Sequence, residues 1–334
     1  MISKKPRALA LLSGGLDSAI AIWLMLQQGI DIIGINFTTP FFNPQGAIKI
    51  AKFFNIPLEI IDITDEFINI LKKPKYGFGK NLNPCIDCHA FMLRKTFELM
   101  GKYEADFIIT GEVLGERPMS QNRNSLNIVA KYSGVEDYLL RPLSAKLLPE
   151  TKPEREGIVD REKLLDIQGR SRKRQLFLAK EIGLKEIPTP SGGCLLTEPN
   201  FSKKLLDLIK NKEDIKRRDL ELLKIGRHFR LPNKIKLIVG RNKDENDKLS
   251  KFFNESDTIF KAKDPSAIVL VPDIIIDKKE EKEYIAKISA YYSDHREDLE
   301  IPVLYKTYFK EEILSVKGPL KENLDFLNYN VTCK

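Results

Sequence analysis

The sequence predicts an α/β fold built on a doubly wound parallel sheet, followed by a second, smaller α+β domain. A chain of 334 residues exceeds what one compact core usually holds. Short apolar runs alternate with helical patterns through the first half, which is typical of a parallel sheet covered by helices. A different pattern begins near Phe201. We therefore place one domain at residues 1–200 and a second at residues 201–334.

The first domain begins with a strand at Arg7–Leu12, a glycine turn and a helix at Ser18–Gln28. The pattern then predicts strands at Asp31–Phe37, Leu58–Ile63, Asp106–Thr110 and Tyr138–Leu143. It predicts one helix at Gln45–Phe54, a second that follows the Leu58–Ile63 strand and ends at about Leu71, and a third at about Ile86–Gly101. Ligands of such a sheet gather at the carboxyl ends of its strands.

The second domain opens with a basic helical stretch. Its later pattern predicts strands at Lys234–Val239 and Ala267–Val271, and helices at about Asp244–Phe253 and Glu280–Tyr292.

Composition excludes several classes of protein. Apolar residues make up 42% and charged residues 31% of the chain, as in globular proteins and unlike disordered ones. The longest apolar stretch, Ala19–Leu26, is much shorter than a membrane span, so we expect no membrane partner. Four cysteines are too few for a disulfide scaffold, and we therefore expect a reducing, cytoplasmic setting.

Positive charge is concentrated in two segments. The formal net charge is +8, and Ser202–Lys243 holds 14 basic and five acidic residues. A second dense block runs from Arg170 to Arg174. Such segments suit a polyphosphate partner, because counterion release drives its binding, but they are equally typical of solvated helix faces.

A glycine loop, Ser13-Gly14-Gly15-Leu16-Asp17-Ser18, separates the first strand from the first helix. Its glycines allow a close backbone approach, and the helix N-terminus offers free N–H groups, so the loop suits an anion. It has neither the lysine of G-x-x-x-x-G-K-[ST] nor the spacing of G-x-G-x-x-G, which excludes both of those nucleotide-binding families.

Three cysteines stand in chemically suggestive contexts. Cys85 and Cys88 form a C-x-x-C pair at a predicted helix start, where we expect a lowered thiol pKa, and Cys194 follows two glycines. Three thiolates match an iron–sulfur cluster with one open iron, but a persulfide dithiol and a zinc site completed by His89 remain alternatives. Cys333, next to the C-terminus, is interpreted as incidental.

The S-G-G-x-D-S loop resembles the signature of the PP-loop ATP pyrophosphatases. This resemblance implies ATP cleavage between the α and β phosphates, with pyrophosphate held by the loop and AMP passed to a substrate oxygen. It implies ATP contacts from Ser13, Gly14, Gly15, Asp17 and Ser18, with Asp17 helping to hold Mg²⁺ or the phosphates.

Together with N-P-C-x-x-C and G-G-C, the loop resembles the tRNA thiouridine synthetases, namely the 4-thiouridine synthetases and 2-thiouridylases, in their three-cysteine, iron–sulfur subset. The segment Thr110–Gln121 resembles their T-G-E-x-x-G-Q-x-x-S-Q stretch, with Glu116 in place of the usual glutamine. Its implied ATP-site residues are Gly111, Glu112, Ser120 and Gln121.

The C-terminal segment from about Ile235 resembles the RNA-binding domain of the NFACT proteins. Because the chain starts close to its first strand, we expect the C-terminal segment, and not an N-terminal extension, to contact RNA. The candidate RNA contacts are Arg172, Lys173, Arg174, Lys216, Arg217, Arg218, Arg227 and Arg230.

These resemblances lead to the hypothesis of an ATP-dependent tRNA sulfurtransferase that makes thiouridine. Its catalytic residues are Asp17, Cys85, Cys88 and Cys194, and its cofactors are ATP, Mg²⁺ and a 4Fe-4S cluster held by the three cysteines. The uracil carbonyl oxygen is adenylated, and sulfide carried on the cluster and supplied by a separate sulfur donor then replaces it. The alternatives are an amide-forming PP-loop ligase acting on a small substrate and a non-enzymatic, ATP-sensing RNA-binding factor.

Overall fold

The computed structural model describes residues 5–184, 193–318 and 325–333. The chain divides into two compact units, Met1–Thr197 and Glu198–Lys334. Residues 190–192 of the third cysteine motif lie outside the described residues. Within the described ranges, no helix combines the length and the apolar character needed to cross a membrane.

A five-stranded sheet forms the centre of the first unit. Its strands are β1 (Arg7–Leu11), β2 (Asp31–Thr38), β3 (Leu58–Asp62), β4 (Phe107–Thr110) and β5 (Leu139–Leu140). All neighbouring strands run parallel, in the order β3-β2-β1-β4-β5. Ala8 of β1 pairs with Ile32 on one side and Phe107 on the other, and it is fully buried. The predicted parallel α/β fold is confirmed.

Helices connect these strands and continue after them. They are α1 (Leu16–Gln27), α2 (Gln45–Phe54), α3 (Thr64–Lys72), α4 (Cys85–Tyr103), α5 (Arg123–Ser133), α6 (Lys152–Arg155) and α7 (Lys173–Ile182). The sequence prediction omitted α5 because its polar residues outnumber its apolar ones. The helix forms because Asn122 caps it, accepting a hydrogen bond from the Ser125 N–H at 2.9 Å, and because Leu126, Val129 and Ala130 are buried on one face.

The strand order creates a crevice at the carboxyl ends of β1 and β4. From β1 the chain moves outward to β2 and β3 on one side, and β4 and β5 lie on the other side. Loops that leave neighbouring strands in opposite directions open a space between them, which is where parallel sheets bind ligands. The glycine loop follows β1, and Gly111 follows β4, so both motifs lie at this point.

The second unit is a six-stranded antiparallel sheet with helices. Its elements are α8 (Pro199–Asn211), α9 (Arg217–Leu222), β6 (Arg227–Arg230), β7 (Lys236–Val239), α10 (Lys243–Phe252), β8 (Thr258–Ala262), β9 (Ile268–Val271), α11 (Lys279–Tyr291), β10 (Ile301–Lys306) and β11 (Glu311–Val316). The strand order is β11-β10-β8-β9-β7-β6, with antiparallel pairing throughout. The predicted α+β class is confirmed.

Four of these strands, β6, β8, β10 and β11, are absent from the sequence prediction. Burial alternates along β10, where Ile301, Val303 and Tyr305 are buried and Pro302 is exposed, and β11 alternates between half-buried and exposed residues, whereas β6 and β8 have adjacent buried residues. Alternation over so few residues is hidden by the high charge of this half of the chain, whereas the continuous apolar runs of β7 and β9 are obvious.

One backbone contact fixes the width of the crevice. A Cβ atom added to Gly111 would lie 2.3 Å from the backbone nitrogen of Ser18, in the first turn of α1. No real Cβ tolerates that distance, so only glycine lets the loop after β4 lie directly against α1.

We expect Gly111→Ala to lower the free energy of unfolding by about 1–3 kcal/mol, because the added methyl group must push the loop away from α1. Urea unfolding of the full chain measures this. Gly101→Ala in α4 is the matched control: its Cβ would meet no atom within 4 Å, and the variant should be as stable as the wild type or slightly more so. Equal stability of the two variants would contradict the packing argument.

Candidate active site

The glycine loop is held in place by its own backbone and hydroxyl groups. Gly14 has φ +83°, and a Cβ there would lie 2.5 Å from the backbone carbon of Gly46 in α2, so this position also requires glycine. The Ser18 hydroxyl donates to the Gly15 carbonyl at 2.8 Å, and the Gly15 N–H donates to Ser13 Oγ at 3.3 Å. The loop thus presents backbone N–H groups at the start of α1, which favours an anion.

A cavity of about 580 Å³ opens directly over this loop. Its lining includes every residue of the loop, all three motif cysteines, and Gly111, Glu112 and Gln121 from the segment after β4. Ser120 is not among the described residues that line the cavity, although it is buried next to Gln121 in the sequence. The sequence-predicted residues of the first unit therefore converge on one space, with Ser120 as the exception among the proposed ATP contacts.

Glu112 is already paired within the protein. Its carboxylate accepts hydrogen bonds from Arg141 Nε at 2.8 Å and Thr110 Oγ1 at 3.2 Å, and it lies 3.0 Å from His89 Nδ1. Burial favours the neutral acid, but the charges of Arg141 and His89 outweigh it and lower the pKa of Glu112 to about 2. Glu112 thus joins α4 to the ends of β4 and β5 as a buried anion.

The C-x-x-C pair and Cys194 reach the cavity from two connected segments. α4 begins at Cys85, and the Asn83 amide donates to Cys85 Sγ at 3.2 Å. The segment after Cys194 is attached to the same region, because the Leu195 N–H donates to the Phe41 carbonyl at 3.0 Å. Asn81 then donates to the Thr197 carbonyl at 2.6 Å, so the loop before α4 holds the third cysteine segment directly.

Burial sets the protonation of two of these thiols. It raises the pKa of Cys88 well above its usual value, and negative charge on Cys194 and Cys85 raises it further. Burial also raises the pKa of Cys194 to about 11. The expectation that a helix N-terminus lowers these values is therefore wrong for Cys88, since loss of water outweighs the helix end.

The same thiols do not form a site for a single metal ion. Among the described residues, no group of three or more His, Cys, Asp and Glu side chains can hold one ion in common. A tetrahedral zinc site needs its four ligands around one atom. A cluster is different because each cysteine binds its own iron, so the sulfurs stand farther apart. The donor set of three thiols on one cavity fits a cluster better than zinc with His89.

Two carboxylates near the loop have no hydrogen-bond partner for one of their oxygens. Oδ1 of Asp17 and Oε2 of Glu116 are both buried and unpartnered among the described residues. Burial raises the pKa of Asp17, against the effect of Arg172 and Arg117. Burial and the charge of Asp17 likewise raise the pKa of Glu116. Carboxylate oxygens in this state suit a hard cation such as Mg²⁺, which binds through one or two carboxylates plus phosphates and water.

The basic candidates of the first unit lie in different surroundings. Arg172 lines the cavity beside Asp17. Lys173 and Arg174 are exposed, and Arg174 pairs with Asp166 at 2.7 Å. The sequence analysis missed Arg117, which also lines the cavity, although its position next to the atypical Glu116 was a usable signal.

Within the second unit, two of the predicted RNA contacts pair with acids that are almost fully buried, and Lys216 pairs only with the exposed Asp214 at 3.7 Å. Arg218 pairs with Asp257, and Arg230 pairs with Asp207 at 2.9 Å. Lys216 and Arg217 are exposed, and the Arg227 guanidinium lies 5.3 Å from the ring centre of Tyr292. Arg218 and Arg230 thus stabilise the fold, and Lys216 is better placed to meet phosphates.

We expect Glu112→Gln to lower the free energy of unfolding by about 3 kcal/mol at neutral pH, as the lowered pKa implies. An acid with a lowered native pKa stabilises the fold above pH 4.5, and this contribution is lost as pH falls toward 2. Urea unfolding at several pH values measures both effects.

The control for this variant is Glu162→Gln. Glu162 pairs with Lys146 at 3.0 Å on the surface, and its side chain is 86% exposed, so the loss should stay below about 1 kcal/mol. If the difference in the free energy of unfolding between the wild type and Glu112→Gln stayed constant down to pH 2, the ion-pair argument would be contradicted.

Comparison with known proteins finds a family match in each of two segments of the sequence. Residues 4–146 match the family described as Thiamine biosynthesis protein (ThiI), and residues 226–325 match the NFACT protein RNA binding domain. The tRNA-specific 2-thiouridylase MnmA of Karelsulcia muelleri (strain GWSS) is 32% identical over 36% of this chain and 34% of its own length. The probable tRNA sulfurtransferase of Thermococcus kodakarensis is 25% identical over 56% of this chain and 44% of its own.

A solved 4-thiouridine synthetase–RNA complex with bound ATP aligns with 53% of this chain and 41% of its own, at 21% identity and a TM-score of 0.38. The chain spans between about a third and a half of the length of the curated relatives named above. Both sequence resemblances, to the thiouridine synthetases and to the NFACT domain, are confirmed by the family matches. The chain thus carries a ThiI-family segment at residues 4–146 and an NFACT RNA-binding domain segment at residues 226–325.

Proposed function

We propose that the protein is an ATP-dependent tRNA sulfurtransferase that makes thiouridine. The observation that carries the proposal is the single cavity shared by the glycine loop and by Cys85, Cys88 and Cys194. A site that activates an oxygen with ATP and then replaces it with sulfur needs both groups within reach of one base. The relatives' names, as thiouridylase and tRNA sulfurtransferase, support the same chemistry.

In the first half-reaction, the uracil carbonyl oxygen attacks the α-phosphorus of ATP. The new O–P bond forms as the bond to the β-phosphate oxygen breaks, pyrophosphate leaves with that electron pair, and the neighbouring ring N–H loses its proton to solvent. The backbone N–H group of Gly14 and the first N–H groups of α1 stabilise the phosphate charge. Asp17, with Glu116 beside it, would hold the accompanying Mg²⁺, which neutralises the charge that develops on the phosphates.

In the second half-reaction, hydrosulfide attacks the activated carbon. A C–S bond forms, the C–O bond breaks, and AMP leaves with the former carbonyl oxygen; the proton of hydrosulfide ends on the ring nitrogen. Cys85, Cys88 and Cys194 would hold a 4Fe-4S cluster, whose fourth iron supplies a binding position for sulfide. A separate sulfur donor delivers the sulfide, and the buried walls around the thiols limit competing attack by water.

RNA binding is assigned to the NFACT segment, and exposed basic residues that precede it, such as Lys216, would meet the phosphates. The target uridine must be unstacked to enter a cavity of this kind, at a cost of a few kcal/mol that these backbone contacts offset. The free thiols suit a reducing compartment, so we propose that the protein works in the cytoplasm.

The two half-reactions should separate by mutation. We expect Cys194→Ala to abolish sulfur incorporation while tRNA-dependent pyrophosphate release persists, because activation does not use the thiols. Asp17→Asn should abolish pyrophosphate release while the iron content stays normal. Mass spectrometry of tRNA nucleosides, a pyrophosphate assay and iron analysis after anaerobic purification measure these three quantities.

The control is Cys333→Ala, which removes an exposed thiol of the second unit and should change none of them. An iron-free protein that transfers ammonia to a small acid would identify the amide-forming ligase. ATP binding with no pyrophosphate release on any tRNA would identify the non-enzymatic RNA-binding factor.

An exposed cation and a cation paired with a buried acid should respond differently to substitution in the second unit. Lys216→Gln should weaken tRNA binding and reduce the slope of log K against log salt by about one, with unchanged stability. Arg230→Gln should instead lower the free energy of unfolding, because Asp207 loses a partner at 2.9 Å. Filter binding across a salt series and urea unfolding measure the two effects. If only Arg230→Gln reduced the slope of log K against log salt, Arg230 and not Lys216 would be the phosphate contact.

A further inference from the structure

Four charged side chains surround the glycine loop without forming ion pairs with one another. Asp17 lies in the first turn of α1, Glu116 and Arg117 follow β4, and Arg172 directly precedes α7. The charges of Arg172 and Arg117 lower the pKa of Asp17, and both also act on Glu116, so the four groups lie within electrostatic range. Among the described residues, none of the four makes a salt bridge within 4.0 Å.

The two arginines come from loops that are attached to each other. Leu114 and Gln168 form an isolated parallel bridge, and the Gly169 N–H donates to the Leu114 carbonyl at 2.7 Å. Gly115 and Gly169 both have φ near +80°, which turns each chain immediately after the bridge. Arg117 and Arg172 follow this bridge by three and four positions, and both line the cavity.

Several polar atoms at and beside the cavity are buried and unpartnered among the described residues. Asp17 Oδ1 and Arg172 Nε belong to residues that line the cavity, whereas Glu116 Oε2 and both amide atoms of Gln175 belong to residues outside its lining. Gln175 is fully buried, and it lies close enough to Asp17 to lower the pKa of that carboxyl. Unpartnered buried polar groups destabilise a fold, so the two that line the cavity indicate a ligand that satisfies them.

We propose that Arg117 and Arg172, which both line the cavity, bind the polyphosphate of ATP, with the buried Gln175 supporting Asp17 from outside the lining. The proposal rests on the proposed function and extends it, because it moves Arg172 from the RNA surface to the nucleotide. Guanidinium groups bind phosphate oxygens through charge-assisted, often bidentate hydrogen bonds. As the bond between the α-phosphorus and the bridging oxygen breaks, pyrophosphate gains negative charge, and the two arginines stabilise it.

The arrangement also gives the acids and the arginines separate partners. Phosphate oxygens attract Arg117 and Arg172, whereas the free oxygens of Asp17 and Glu116 attract a divalent cation. A ligand that carries both, such as Mg²⁺-bound ATP or pyrophosphate, satisfies all four groups together. An RNA backbone phosphate would satisfy the arginines alone and would have to enter the cavity beside two carboxylates.

The test measures binding of Mg²⁺-pyrophosphate, ATP and AMP to the full chain by equilibrium dialysis, together with tRNA binding across a salt series. We expect Arg172→Gln and Arg117→Gln each to weaken ATP and pyrophosphate binding roughly 10- to 100-fold, as the loss of a charged hydrogen bond implies. AMP and tRNA affinity should change less than about twofold. Arg170→Gln, an exposed neighbour that does not line the cavity, is the control and should change none of them.

Because Arg172 is half-buried, Arg172→Lys and the exposed Arg117→Gln protect the test against a folding defect, and circular dichroism monitors the fold. Unchanged pyrophosphate affinity in both glutamine variants overturns the proposal, as does wild-type protein that binds neither pyrophosphate nor ATP. A reduced tRNA salt slope for Arg172→Gln with intact pyrophosphate binding returns Arg172 to the RNA surface. Loss of pyrophosphate binding in the variants, combined with wild-type protein that thiolates no tRNA, supports the arginine assignment and rejects only the proposed function.

Discussion

The cavity depends on two places where backbone lies against backbone with no side chain between. Gly111 lies against the first turn of α1, and Gly14 lies against the start of α2. Both contacts occur at the carboxyl end of the sheet, where β1 and its neighbours send their loops in opposite directions. A larger residue at either position would widen the crevice and separate the N–H groups of the loop from the segment after β4. The shape of the candidate anion site therefore depends mainly on backbone packing, and side-chain chemistry acts within that shape.

The sequence predicts this backbone frame well, because the frame has a strong local signal. Apolar runs such as that of β4 indicate buried parallel strands, and a glycine pair between a strand and a helix indicates a phosphate-binding turn. The prediction weakens in the second unit, where β6 is flanked by two arginines and reads as part of a basic stretch. Strand pairing with β7 and the burial of Phe229 decide its structure, and both are long-range effects.

Individual side-chain roles are predicted less well, because a role depends on what a residue meets across the fold. Glu112 is predicted correctly at the cavity, but the sequence does not show that Arg141, 29 positions later, binds its carboxylate. Cys88 is predicted at a helix start, but burial outweighs the expected effect of that helix end on its pKa. Arg172 belongs to a basic run in the sequence and yet faces the nucleotide loop in the structure.

The arginines show most clearly why counting basic residues overstates a nucleic-acid surface. In the second unit, Arg218 and Arg230 form ion pairs with buried or half-buried acids, which neutralise their charge within the fold. In the first unit, Arg117 and Arg172 have acids nearby but remain unpaired within the described residues. Arg117 is exposed and keeps its water, whereas Arg172 is half-buried with an unpartnered Nε, so a bound anion would offset its loss of solvation. The ion pairing of each basic residue, and not the number of basic residues in its segment, therefore distinguishes residues that stabilise the fold from candidate ligand contacts.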